Sequence, residues 1–292
     1  MPELPEVETM VRGLRPVMEG FSLVELKIHD PSLIRGIEPD RLIDRVEGSR
    51  IDRIERRGKW VVFHLALDAG IIVVQPRMTG GFWLIFPARI DHARLTFRLG
   101  EPERSVWYCD ARRLGRIHWF GSLEEASRAF KKSHGPDALA IELDILIAKL
   151  KATNRGIKPT LMDQKILAGI GNIYADEILF AAKIHPERKA SSLASKEIKQ
   201  IHDSISLVLA KAIAAEGSSF DAGYRTVLGL EGGFLAMNAV YGREGAPCPD
   251  CGSAIVKGKI QGLIGRPTYH CPGCQILGRR RKKRSTKNDP ER

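Results

Sequence analysis

The spacing of apolar residues divides the chain into a short N-terminal helix, a strand-rich stretch and a helical stretch, with a small module after them. Val7, Met10, Val11 and Leu14 recur at helical spacing. Pro5 suits the first helical position, and Glu6 and Glu8 suit the first turn, so a helix is predicted to start at Pro5. Residues 20–120 read as strands: Leu23 to Ile28 and Leu95 to Leu99 alternate, and Ser105 to Cys109 is a further candidate. The β-branched runs Trp60 to Leu67 and Ile71 to Val74 are split by Asp68-Ala69-Gly70. Strands at this spacing, with turn residues between them, predict a sandwich or barrel-like pair of sheets.

From about Glu124 the period changes to that of helices. They are predicted over 142–151, 158–167, 173–182 and 196–215, followed by a Gly- and Ser-rich loop from Gly217 to Gly233 and a module from Ala246 to Gln275. No internal repeat is visible. The reading is an α+β multidomain protein: a β-rich unit over 1–135, a helical unit over 136–240, a small module over 241–276 and a tail over 277–292. The first boundary falls in Ser133-His134-Gly135-Pro136-Asp137.

With 292 residues and 43% apolar composition, the chain can bury a proper core. It has no run of about 18 apolar residues, so no membrane span is expected. The first twenty residues carry four glutamates and no apolar signal segment, which points to a soluble cytoplasmic protein. The net charge of +11 is what changes the picture. Residues 279–292 set eight cations against Asp289 and Glu291, giving +6, and are expected to form a disordered basic end that adds non-specific affinity. A basic excess of this size fits a polyanionic partner, with nucleic acid first.

Cys248-Pro249-Asp250-Cys251 and Cys271-Pro272-Gly273-Cys274 are separated by 19 residues. Two such knuckles supply four thiolates for one tetrahedral Zn²⁺, a closed and therefore structural site. Ile255 to Lys257 and Thr268 to His270 should pair as a hairpin whose tip, Gly262 to Arg266, points its basic side chains outward. Cys109 is expected to be a buried thiol, and disulfides are not expected in the cytosol.

Removal of Met1 would expose the Pro2 nitrogen beside Glu3. An α-amine titrates at about 7.7–8.0, so a useful fraction is neutral and nucleophilic at cellular pH. A secondary amine condensing with an aldehyde carbon forms a charged iminium, a good electron sink. Other constellations are weaker alone. Lys59, in Arg56-Arg57-Gly58-Lys59-Trp60, reads as a solvated strand end. Gly169-Ile170-Gly171-Asn172 makes a tight turn with Asn172 as an N-cap, and the helix beyond it could offer amides to a phosphate, with Lys158 starting the preceding helix. Asp110 to Gly115 sets two arginines beside Leu114 in a loop, a combination that suits insertion into a duplex.

Taken together, these segments resemble the formamidopyrimidine-DNA glycosylase family over about residues 1–275. The landmarks follow family order: Pro-Glu-Leu-Pro-Glu, Arg-Arg-x-Lys, Met78-Thr79-Gly80, Asp-x-Arg-Arg, Leu161 to Gln164, Gly-x-Gly-Asn-Ile-Tyr-Ala, Val240 to Arg243, and Gly265 to Thr268 within the cysteine module. The resemblance implies a β-sandwich-like N-terminal catalytic domain, a helix–two-turns–helix DNA-binding domain and a zinc hairpin, with duplex DNA in the cleft between domains. Such enzymes are bacterial, and the chain is expected to act in the cytoplasm at the nucleoid, as a monomer with one zinc ion.

By position, the resemblance makes Pro2 the nucleophile toward C1′ of the damaged nucleoside and Glu3 the general acid/base, with Glu6 in support. Lys59 would contact the lesion nucleotide and its phosphate. Asn172 and Arg266 would grip the flanking phosphates with Lys158 and Tyr174 nearby, and His92 would also contact DNA. Met78, Arg112 and Leu114 would fill the void left by a flipped base. The implied activity is excision of 8-oxoguanine and formamidopyrimidines with β,δ-elimination. The rival readings are the sister branch that prefers oxidised pyrimidines and a non-catalytic binder of damaged DNA. Leu4 and Val7 resemble the purine branch, and Pro2, Glu3 and Lys59 argue for an enzyme. The chain departs from the family pattern in carrying Gln75-Pro76 where His-Leu is usual and Leu114 where phenylalanine is usual.

Overall fold

The computed structural model describes residues 2–66, 68–86, 90–220 and 223–277; the basic run expected to be a disordered end, 279–292, lies outside them. In chain order the elements are α1 (Leu4–Met18), β1 (Leu23–Ile28), β2 (Ile34–Arg35), α2 (Pro39–Val46), β3 (Ile51–Arg57), β4 (Trp60–Leu65), β5 (Ile71–Gln75) and β6 (Gly80–Trp83). There follow β7 (Ala93–Leu99), β8 (Arg104–Asp110), β9 (Arg116–Phe120), α3 (Leu123–Ser133), α4 (Leu143–Lys151), α5 (Ile157–Leu161), α6 (Asn172–Ala181), α7 (Ser195–Ala214), β10 (Val256–Gly258) and β11 (Thr268–His270).

The strands form two sheets, ordered β1-β7-β8-β6 and β2-β9-β5-β4-β3, antiparallel except for the short β2–β9 pair. Phe63 of one sheet stacks on Phe97 of the other at 5.5 Å between centroids, with Phe82 at 5.7 Å from Phe63. Alternation places these rings on inner faces, which makes the pair of sheets a sandwich. Val7, Met10, Val11, Leu14 and Met18 of α1 join this core, so the helical spacing of the N-terminus is the spacing of a buried stripe.

A second core gathers α4 to α7, and Leu4 at the head of α1 belongs to it rather than to the sandwich. Conversely, Tyr224 and Val227, placed by sequence in the helical unit, pack in the sandwich core. The Leu84 N–H donates to Val227 O at 2.8 Å, so the Gly-rich loop returns to the β unit. A third, small core joins Phe180 and Val240 to Cys248, Ile255 and Cys271.

The helix expected over 158–167 is cut short. It ends at Leu161, and two turns lead to α6, because the chain must double back to place Gly169 and Gly171 against residues 3 and 4. The expected hairpin forms, with Val256 opposite His270 and Lys257 opposite Tyr269.

Candidate active site

The N-terminal segment is fastened from both sides. The main-chain N–H of Glu3 donates to Glu6 Oε2 at 2.8 Å. The Glu3 carboxylate reaches into the helical unit and accepts the Gly171 N–H at 2.6 Å and the Ile173 N–H at 3.0 Å. These amides open α6, where no backbone acceptor exists and the helix dipole favours an anion, so a carboxylate only 1% exposed is stabilised there. This corrects the sequence reading in two respects: Gly171, not Asn172, is the N-cap, and those amides hold Glu3 and not a phosphate.

The two glycines are required by closeness. The Leu4 N–H donates to Gly169 O at 3.0 Å. Gly169 sits at φ +115°, and a Cβ there would lie 2.5 Å from Leu4 Cδ1; a Cβ on Gly171 would lie 2.4 Å from the Glu3 carboxyl carbon. Gln164 knits these turns together, donating to Ile170 O and Met162 O at 2.8 Å each and accepting from the Gly169 N–H at 3.0 Å.

Glu6 is buried beneath Glu3. Its Oε1 accepts the Ser218 N–H at 2.8 Å and the Tyr174 hydroxyl. Burial pushes the Glu6 carboxyl up, the neighbouring Glu3 charge adds to this, and the donors oppose it. Tyr174, expected near the phosphates, is fully buried and serves Glu6 instead.

Lys59 sits in the tight turn between β3 and β4, not at a strand end. Burial holds its ammonium below the usual lysine range, opposed by Glu3 and reinforced by Arg266. The turn is pinned by Asp137, which accepts the Gly58 N–H at 3.0 Å and a fork from Arg56, whose Nη2 lies at 3.1 Å. Arg56 Nε also donates to Glu8 at 3.0 Å. Asp137 and Arg56 were missed from sequence: an aspartate in a linker carries no local sign of a partner 79 positions away.

Arg266 lies in the loop that joins β10 to β11, and the next residues are gripped from below. Lys158 Nζ donates to Pro267 O at 3.1 Å and Thr268 Oγ1 at 2.9 Å, and pairs with Asp176 at 2.8 Å. Asp176 accepts the Tyr269 N–H at 2.9 Å, and Asn172 Nδ2 donates to Pro267 O at 3.1 Å. Lys158 and Asp176 are both 0% exposed on their side chains. Lys158, expected at the phosphates, is therefore turned into the protein, held by Pro267, Thr268 and Asp176, and positions the Arg266 loop. Lys158→Met should cost about 3–5 kcal/mol by stranding a buried carboxylate. Joint replacement with Asp176→Leu should recover most of that in chemical denaturation.

Met78, Arg112 and Leu114 come together on two exposed loops, β5–β6 and β8–β9. The Thr79 hydroxyl bonds Asp110, the Arg112 N–H donates to Thr79 Oγ1 at 3.1 Å, and the Gly115 N–H donates to Asp110 Oδ2 at 2.7 Å. His92 lies apart, in the short 3₁₀ turn before β7, with Nε2 3.6 Å from the Asp91 carboxylate.

The sulfurs of Cys248, Cys251, Cys271 and Cys274 all lie within 4.8 Å of one another, so the cluster can hold a metal ion. A tetrahedral ion with metal–sulfur bonds of about 2.3 Å would set its sulfurs about 3.8 Å apart. The observed Cys248–Cys274 and Cys251–Cys271 separations of 3.9 and 3.4 Å fit that. Cys109 is buried and unpaired, as expected.

Between the units lies a cavity of 620 Å³, lined by Pro2, Lys59, Arg77, Gly171 and Arg266 among others. A backbone nitrogen carried by a rigidly held segment, a neighbouring carboxylate and cations that have no ion pair among the described residues are what imine chemistry on a phosphorylated sugar requires. Among the described residues, no helix is long and apolar enough to cross a membrane.

Comparisons with known proteins agree. Residues 1–117 match the family model of the formamidopyrimidine-DNA glycosylase N-terminal domain, and residues 134–222 match that of its H2TH domain. The chain is 39% identical over 282 residues to the formamidopyrimidine-DNA glycosylase of Thermus thermophilus, covering 95% of this chain and 100% of that one. It is 38% identical over 280 residues to the Bacillus subtilis enzyme of that name, covering 94% and 99%. The crystal structure of the Thermus thermophilus MutM (Fpg) protein superposes with a TM-score of 0.83 at 37% identity, covering 95% of this chain and 100% of that one. A Lactococcus lactis Fpg mutant in complex with Fapy-dG-containing DNA superposes with a TM-score of 0.85 at 33% identity, covering 94% and 100%.

Proposed function

The chain belongs to the formamidopyrimidine-DNA glycosylase family, and from that premise we infer that it is a DNA repair glycosylase with AP lyase activity, acting on oxidised purines in duplex DNA. The observation that carries the reading is the cavity in which Pro2 stands with Lys59 and Arg266, next to a Glu3 carboxylate locked across two units.

In this proposal the Pro2 nitrogen, freed by loss of Met1, attacks C1′ of the flipped nucleoside. The glycosidic bond breaks as the C1′–N bond forms, and the base leaves with its electron pair. Glu3 takes the proton that the Pro2 nitrogen sheds as the C1′–N bond forms and delivers it to the sugar ring oxygen as the ring opens to the iminium. The cationic imine acidifies C2′; loss of that proton expels the 3′ phosphate, and a second elimination expels the 5′ phosphate. Glu6 supports Glu3 through its main-chain N–H. Lys59, Asn172 and Arg266 hold the phosphates, and Met78, Arg112 and Leu114 enter the duplex.

The rate of excision from duplexes bearing 8-oxoguanine opposite cytosine, set against thymine glycol, tests the substrate class. A strong preference for 8-oxoguanine is expected, and the reverse would refute it.

The proposed ion is Zn²⁺ on the four cysteines. The third core is too small to fold without it, so chelation should misplace Arg266 and weaken binding to damaged duplex at least about ten-fold. Unchanged affinity in protein shown by elemental analysis to be metal-free would contradict this.

A further inference from the structure

The cavity extends well beyond Pro2, and its far wall has no role in the reaction above. That wall is one face of the sheet built from β3, β4, β5 and β9. Cα pairing sets Ile71 opposite Phe120, Val73 opposite His118, and Gln75 opposite Arg116. Alternate positions share a face, so these three pairs follow one another along one side of the sheet. The α3 helix covers only part of it: Ile71, Val73, Phe120 and Ala126 form a buried cluster with Val62 and Trp60. The end carrying Gln75 and Arg116 is left facing the cavity, together with Arg77 and His118.

Several features of this end are unusual for an idle surface. Arg77 and Arg116 are exposed, influence each other electrostatically, and have no ion pair among the described residues. Among the described residues no carboxylate lines the cavity, although cations stand at both ends of it. Arg77 holds a φ of +58°, a conformation that non-glycine residues keep only when their surroundings impose it. His118 is clamped between Trp60, at 6.2 Å and 15°, and Phe120, at 6.1 Å and 9°, and its Nε2 has no hydrogen-bond partner. Burial and the surrounding arginines, Arg116, Arg35 and Arg77, hold that imidazole below its usual range. The positive charge of this end therefore comes from the guanidiniums, which suit a phosphate through their planar fork of donors.

We propose that Arg116, Arg77 and His118 form a second phosphate subsite, distinct from the Lys59–Arg266 end of the cavity, that holds another phosphate of the damaged strand. This rests on the glycosylase reading given above. The subsite sits beside Gln75, which stands where the family usually carries histidine, and Arg116 is the residue directly opposite it on the paired strand.

The test is a salt titration of binding by full-length, zinc-loaded protein to a duplex with a tetrahydrofuran abasic analogue. Wild type is compared with Arg116→Ala and Arg116→Glu, and melting temperatures verify that each folds. One phosphate contact changes the slope of log K against log[salt] by about 0.9, so Arg116→Ala should flatten it by about one, with Arg116→Glu binding more weakly still. Two forms of the duplex identify the source: a loss on the continuous strand marks an internal diester. A loss confined to a gapped strand bearing terminal phosphates, and absent with terminal hydroxyls, marks a phosphate of the cleaved product. Unchanged slope and affinity on both forms, in both variants, would overturn the subsite. If wild type does not prefer the abasic duplex to undamaged DNA, the glycosylase reading falls first and takes the subsite with it.

Discussion

Replacing Pro2 by glycine should lower 8-oxoguanine excision by about three orders of magnitude or more while leaving affinity for an abasic-analogue duplex within a few-fold of wild type. Removing a covalent nucleophile costs about 10⁶ in the best-measured hydrolase, and glycine leaves a primary amine that can restore part of that. Binding should survive because glycine keeps an N-terminal amine with the same charge, and Lys59 and Arg266 remain. The wild-type rate should rise through about pH 7.7–8.0, where an α-amine loses its proton, since only the free base attacks C1′. Single-turnover excision against pH, with both proteins at saturating concentration, measures all of this. A variant that excises at the wild-type rate would show that the nucleophile lies elsewhere.

Glu3→Gln should cost about 10²–10⁴ in the excision step, the range for one positioned acid/base group. Two effects combine. The amide cannot supply the proton for the ring oxygen. Its NH₂ also meets one of the two N–H groups, Gly171 and Ile173, that now point at carboxylate oxygens, leaving a donor facing a donor. A preformed abasic site needs no glycosidic cleavage, so its conversion to a strand break should fall much less. Equal losses on the base-bearing and abasic substrates would mean that Glu3 only holds the segment in place.

These two residues also show how much the sequence could tell. The helical stripe from Val7 to Leu14, the alternating strands and the paired knuckles were legible because each is a local pattern with a fixed period or spacing. Motif order was enough to propose Pro2, Glu3 and Lys59 as candidates. Their surroundings were not legible, since they are made by contacts between distant segments. Asn172 looked like a cap, but a glutamate 168 positions from Gly171 does the capping. Lys158 and Tyr174 carried the right chemistry for phosphates and were turned inward, because Asp176 and Glu6 are buried and require partners there. The tie from Asp137 to Arg56 and Gly58, which sets the Lys59 turn, joins a linker to a hairpin and leaves no trace in either. The short β2 and the β9 strand, with arginine and histidine on one face, escaped notice because their polar positions hide the period of a strand.

The central claim is that catalysis passes through a covalent bond from the N-terminal proline to the sugar. The direct test is borohydride reduction of the mature, zinc-replete protein on a duplex with one 8-oxoguanine opposite cytosine, followed by proteolysis and mass spectrometry of the adduct. The account predicts a stable adduct with the sugar remnant on the nitrogen of Pro2. An adduct on a lysine, or none under conditions where the base is released, would contradict it.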